Sequence, residues 1–79
     1  MEKQYVNVIC DRSGNGRYIP LEVICGNRHL MVDRVVHSCR SVDGSFTGTR
    51  YTVIIRGKEK FLYRDGSIWY VGRSGGDAK

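Results

Sequence analysis

Residues Gly57 to Gly72 read GKEKFLYRDGSIWYVG. Asp65-Gly66 is a two-residue turn signal between two short apolar runs, Phe61-Leu62-Tyr63 and Ile68-Trp69-Tyr70-Val71. A strand with one solvated face alternates apolar and polar residues, and neither run does. Both faces of this hairpin therefore call for cover or for a partner. Pairing across Asp65-Gly66 sets Tyr63 opposite Ile68, Leu62 opposite Trp69 and Phe61 opposite Tyr70. One face then carries Leu62, Trp69 and Val71, and the other Phe61, Tyr63, Ile68 and Tyr70. Upstream, Gly57-Lys58 reads as a Gly-X turn that adds Val53 and Ile55 to the Leu62 side, and Thr52 and Ile54 to the aromatic side. A three-residue turn, Gly57 to Glu59, would shift this register by one and exchange the partners. The aliphatic face with the sole Trp is the expected core.

Gly and Asx-Gly punctuation divides the rest of the chain in the same way. Gln4 to Cys10 alternates Val6, Val8 and Cys10 against Tyr5, Asn7 and Ile9, which predicts a strand. Asp11 to Arg17, DRSGNGR, is a polar, Gly-rich loop. Tyr18 to Cys25 alternates again, with Ile19, Leu21, Val23 and Cys25 on one side. Pro20 cannot donate to a ladder, so this strand has a free edge there or starts near it. Gly26-Asn27 closes a hairpin that sets Val23 opposite Leu30 and Leu21 opposite Val32. The following run, Arg28 to Cys39, is expected as one strand with a bulge near Asp33-Arg34 that turns Val35, His37 and Cys39 inward. A short helix from Asp33 is the alternative, disfavoured by the β-branched Val32, Val35 and Val36. Arg40 to Gly48 is a second loop, and Arg50 to Arg56 is a β-rich run.

These elements predict an all-β domain over residues 1–72, followed by a flexible tail over 73–79. About six antiparallel strands fall into two three-stranded meanders, and a small SH3-like barrel or sandwich is the natural closure. The 79 residues carry thirteen Lys and Arg against eight Asp and Glu, a net charge of +5 and a pI near 9.4. That balance favours anionic partners. Charge from the second residue onward leaves MEKQYVNVIC without the apolar core of a secretory leader. No stretch approaches the roughly 20 apolar residues that span a bilayer. A soluble, cytoplasmic chain with no membrane partner is expected. Three cysteines without paired spacing argue against a disulfide framework.

Three segments have a familiar rhythm: PLEVICGNRHLMVDRV from Pro20 to Val35, GTRYTVIIRGKEKFLY from Gly48 to Tyr63, and the closing Trp69-Tyr70-Val71. Over about two-thirds of its length the chain resembles a group of small, uncharacterised all-β bacterial proteins, common in clostridia and their relatives. The shared positions are hairpin turns and core residues, so the resemblance implies a fold and no catalytic residues. Cys25 stands where that pattern has a Trp.

Cys10, Cys25, His29, His37 and Cys39 are conceivable metal ligands, but tight C-x2-C or H-x3-5-H pairs are missing. All three cysteines fall on expected inward faces, where free Cys behaves as a small hydrophobe. Asp33, His37 and Cys39 could share a face, yet a domain this small seldom encloses a substrate pocket. Ser13-Gly14-Asn15-Gly16-Arg17 lacks the Lys-Ser/Thr and the helix of a phosphate cradle. No enzyme activity, cofactor or metal is expected.

The second face of the opening hairpin is the place where a function would sit. Phe61, Tyr63 and Tyr70 form an aromatic patch, with Arg56, Lys58, Lys60 and Arg64 around it. Rings edged with cations suit single-stranded nucleic acid, whose bases stack and whose phosphates pair with the charges. The leading expectation is therefore a non-enzymatic module that binds nucleic acid weakly. The alternative is a protein-interaction or homodimerisation module that uses the same aromatic face, the chain being a monomer or a weak homodimer. A third arrangement makes both faces internal, with the sheet curled or with Phe46 of the second loop folded over it.

Overall fold

The computed structural model describes residues 2–12, 14, 17–41, 44 and 47–73. They form seven strands and no helix: β1 (Glu2–Arg12), β2 (Tyr18–Cys25), β3 (Arg28–Met31), β4 (Arg34–Arg40), β5 (Thr49–Ile55), β6 (Lys58–Asp65) and β7 (Ile68–Arg73). All pair antiparallel, in the order β3-β2-β1-β7-β6-β5-β4, and the sheet curls into a half-barrel. Ser13, Asn15 and Gly16 of the first loop, Val42, Asp43, Ser45 and Phe46 of the second, and the tail beyond Arg73 lie outside the described residues.

The seventh strand arises where the run from Arg28 to Cys39 breaks. The Val32 amide donates to the Leu21 carbonyl at 2.9 Å, and the next amide, Asp33, donates to the Ile54 carbonyl at 2.7 Å. Consecutive residues thus bond to opposite edges of one sheet, β3 on β2 and β4 on β5. That is possible only if the sheet bends until its two edges approach. β1 does the same on the other side: Glu2 to Val6 pairs with β7, and Asn7 to Arg12 pairs with β2.

Inside the curl lie Val23, Tyr51, Val53, Ile55, Leu62 and Trp69, with Val6, Val8, Cys10, Tyr18, Leu30, Val32, Val35 and Val71 against them. Burial of each large side chain contributes about 1.5–3 kcal/mol, which is the main term holding so small a sheet together. Val53 and Leu62 are almost completely buried, as expected of the aliphatic face.

The register of both C-terminal hairpins differs from expectation by two residues. Ile55 pairs with Lys58 across Arg56-Gly57, and Asp65 pairs with Ile68 across Gly66-Ser67. Tyr63 therefore faces Tyr70, and Tyr51 faces Leu62. A shift of two leaves every side chain on its own face, whereas a shift of one would have inverted them. The face assignments of the hairpin stand although its partners changed. Arg56 and Gly57 have φ of 54° and 77°, the left-handed pair that a tight hairpin turn requires.

Two bulges alter faces elsewhere. Ile9 pairs with Glu22 but Cys10 pairs with Pro20, so Leu21 is the extra residue in β2. Ile19 and Leu21 consequently point out, while Pro20 is fully buried. Pro20 pairs with Cys10 directly beside the bulge, where the ladder is locally disrupted and a missing donor costs little. In β4, Val35 pairs with Val53 and His37 with Thr52, which leaves Val36 as the bulge. Val35 turns inward as expected. His37 and Cys39 turn outward, against expectation, because the bulge sits three residues later than Asp33.

Candidate anion-binding cleft and the aromatic face

The aromatic patch expected on the outer face is only partly accessible. Phe61 is 46% exposed, but Tyr63 is 7% and Tyr70 only 1% exposed. Tyr63 and Tyr70 stack with centroids 5.0 Å apart and ring planes within 2°. Tyr5 meets Tyr70 edge-on at 6.1 Å, and the Lys3 ammonium lies 4.7 Å from the Tyr70 centroid. The residues Tyr5, Tyr70, Tyr63, Arg50 and Cys39 form one cross-strand row over five strands. Tyr63 and Tyr70 therefore have no free ring face for a base to stack on. Phe61 carries the Arg50 guanidinium 4.6 Å from its centroid, a partner the sequence did not indicate.

The four cations expected around this patch do not surround it. Lys58, Lys60 and Arg64 alternate with Glu59, Phe61 and Tyr63 along β6, so they belong to the opposite face. Arg56 occupies the exposed β5–β6 turn. Of the seven residues, the structure groups Phe61, Tyr63 and Tyr70 on the outer face, leaves Arg56, Lys58 and Lys60 at one end of the sheet, and sends Arg64 to the other.

Arg64 enters a cleft where the curl stops short of closing. Arg17 just before β2, with Tyr18 and Ile19 at its start, forms one wall, and Val35, Ser38, Cys39 and Arg40 of β4 form the other. Thr49, Tyr51 and Arg64 line it between them, and its volume is about 690 Å³, within the range of ligand sites. Arg40, Thr49 and Arg64 stand in one cross-strand row. Their backbones are thus separated by single strand spacings of roughly 5 Å, which lets both guanidinium groups reach one ligand.

The described lining of the cleft is rich in arginine. Three arginines line it, and no carboxylate stands among its described lining residues. The Arg64 guanidinium lies 4.1 Å from the Tyr18 centroid and 5.9 Å from that of Trp69, and the Arg12 guanidinium lies 5.4 Å from the Tyr18 centroid. Burial pushes the Tyr51 phenol above its ordinary value, while the charges of Arg64 and Arg17 act in the opposite direction. The Cys10 thiol is likewise pushed up by burial, with Arg64 opposing.

Arg12, Arg17 and Arg40 went unnoticed in the sequence, although a signal existed. In an antiparallel meander every second connection lies at the same end. Arg12 and Arg17 flank the first loop, Arg40 opens the second and Arg64 precedes the last turn, so the topology collects all four at one end.

The remaining candidates disperse. Cys10 is on the inner face and Cys39 on the outer, and among the described residues no three His, Cys, Asp or Glu side chains converge. Cys25 accepts from the Gln4 amide at 3.1 Å, and Asp33 accepts from the Gly57 amide at 3.4 Å. His29 pairs with Glu22 at 2.7 Å on the exposed side of β2 and β3. Comparison with protein-family models, curated proteins and solved structures finds no match to this chain. The resemblance to small clostridial proteins rests on the quoted segments alone.

Proposed function

We propose that this chain is a non-enzymatic binding module, a small open barrel of the SH3-like kind that holds nucleic acid weakly through its arginine cleft. The carrying observation is that Arg40 and Arg64, in one cross-strand row with Thr49, line a cleft with no carboxylate among its described lining residues. Guanidinium groups bind phosphate bidentately and stay charged at any working pH, so such a cleft retains anions even when wet. The net charge of +5 adds long-range attraction. Burial of Tyr63 and Tyr70 moves the reading away from the outer face and from base stacking, toward phosphate contacts.

Titration of a short single-stranded oligonucleotide, followed by anisotropy and by amide shifts, tests this. Two phosphate contacts, from Arg40 and Arg64, give a log–log salt slope of about −1.4 for a single strand. Arg40→Ala should weaken binding several-fold, and shifts should centre on Tyr18, Arg40, Thr49 and Arg64. Absence of binding at low salt, or shifts centred on Phe61 alone, would sink the reading.

A second reading has its own observation. Tyr5, Phe61 and Ile68 are 65%, 46% and 52% exposed on the outer face around the buried tyrosine pair. Such a patch suits a protein partner or a second copy of this chain, with affinity insensitive to salt. A strictly constant monomer mass up to millimolar concentration would remove the second-copy version.

A further inference from the structure

Resting on the reading of the cleft as the nucleic-acid site, the geometry points to a terminal phosphate monoester as the group it holds, seated between Arg40 and Arg64 beside Arg17. Two observations separate an end from the middle of a strand.

The first is charge density. The Arg40 and Arg64 guanidinium groups line a volume of about 690 Å³ that has no carboxylate among its described lining residues. An internal phosphodiester supplies one negative charge and two unbridged oxygens. A terminal monoester supplies about −1.5 to −2 and three acceptor oxygens, which matches converging bidentate donors far better. Ser38 and Thr49 add hydroxyl-bearing side chains to the same lining.

The second is the lack of a stacking track. Proteins that follow a strand offer successive free aromatic faces along a groove. Here Tyr51 is 8% exposed and packs on Trp69 at 5.4 Å, and the face of Tyr18 is taken by Arg64. Tyr63 and Tyr70 are occupied with each other on the opposite side of the sheet. The cleft can therefore grip a phosphate firmly and bases hardly at all, which makes a strand end, independent of sequence, the fitting ligand. Arg64 needs little ordering on binding because two rings already hold it in place.

The test compares one ten-nucleotide single strand in three forms: 5′-phosphorylated, 3′-phosphorylated and unphosphorylated. A nucleoside 5′-monophosphate and an acidic peptide serve as competitors. The expected result is at least tenfold tighter binding of one phosphorylated form, reversed by phosphatase treatment of that strand. Arg40→Gln and Arg64→Gln, each checked for a native thermal transition, should abolish the gain while leaving residual binding of the unphosphorylated strand. Displacement by the mononucleotide at equal concentration supports the monoester chemistry and assigns it to a free nucleotide instead of a strand end. Equal affinity for all three strands overturns the terminal-phosphate assignment and leaves the cleft as a strand-binding site. Failure of every strand to bind overturns both. Competition by the acidic peptide as effective as that of the phosphorylated strand overturns the nucleic-acid assignment.

Discussion

The Arg64 guanidinium rests 4.1 Å from the centroid of the Tyr18 ring, joining β6 to β2, two strands that are separated in the sheet by β1 and β7. The contact exists because the sheet curls, and it fixes the direction in which Arg64 presents its donors. A cation–π pair of this kind contributes about 0.5–2 kcal/mol. Tyr18→Phe keeps the ring face and should leave both stability and anion affinity unchanged. Tyr18→Leu should lower the affinity for the phosphorylated strand by about three- to tenfold through lost orientation, since 1.4 kcal/mol is tenfold. Isothermal titration of both variants checks this, and equal affinity for both would mean that the ring does not position Arg64.

Tyr70 is buried to 1% exposure, and its hydroxyl has no hydrogen-bond partner among the described residues. A buried polar group left unpaired costs about 1–3 kcal/mol, so its removal relieves a penalty. Tyr70→Phe should therefore be neutral or stabilising in urea unfolding. Tyr70→Ala also removes the stacked ring against Tyr63 and should cost about 3–5 kcal/mol. A marked loss of stability in Tyr70→Phe would reveal a partner for the hydroxyl.

Gly48 ties the second loop to the cleft. Its φ is +80°, and a Cβ placed there would stand 2.0 Å from the backbone carbonyl oxygen of Arg64. Neither the left-handed backbone nor the contact with fixed backbone can relax cheaply. Gly48→Ala should destabilise by more than about 2 kcal/mol and shift the amides of Thr49 and Arg64, which pair beside it. Unchanged spectra at those two positions would refute the close approach.

Arg56 takes the first left-handed position of its hairpin at φ 54°, where Asn or Gly is favoured. Arg56→Asn should raise stability by about 0.5–1 kcal/mol. Because Arg56 lies at the end of the sheet away from the cleft, the same variant should leave oligonucleotide affinity at low salt nearly constant. A tenfold loss would return the nucleic-acid surface to the β5–β6 turn.

Alkaline pH should destabilise the fold through Cys10 and Tyr51. Both are neutral when protonated, and burial raises both pKa values in the folded state. The unfolded chain then loses these protons first, so stability is full below the unfolded values and falls as pH rises through and beyond them. The decline should begin near the ordinary thiol range and steepen in the phenol range. Cys10→Ala should remove its earlier part in urea midpoints measured from pH 7 to 11. No change in the profile would show that the thiol is solvated.

Much of the architecture was legible in local pattern. Alternation marked Val6, Val8, Val53, Ile55, Leu62 and Trp69 as one face, and glycine and Asx signals marked the hairpins. Those features depend on neighbours along the chain and survive a two-residue error in the turns, because side chains in a strand repeat with period two. The bulge at Leu21 escaped, and the one expected near Asp33-Arg34 lies at Val36, since an extra residue is set by the partner strand and not by its own sequence. The candidate site was the least legible part. Alternation by itself put Lys58, Lys60 and Arg64 opposite Phe61 and Tyr63, yet whether a ring sees water depends on what packs over it.

Sequence alone determined an all-β chain, the presence of its hairpins, its aliphatic face and its positive charge. The tertiary structure decided that the strand from Arg28 to Cys39 splits at Val32-Asp33, that Tyr63 and Tyr70 stack out of reach, and that Arg17, Arg40 and Arg64 share a cleft. Strand patterns are local, being written in steric alternation and turn dihedrals. The curl that brings β2 toward β4 and β6 is a property of the whole twisted sheet, and the cleft exists only through it.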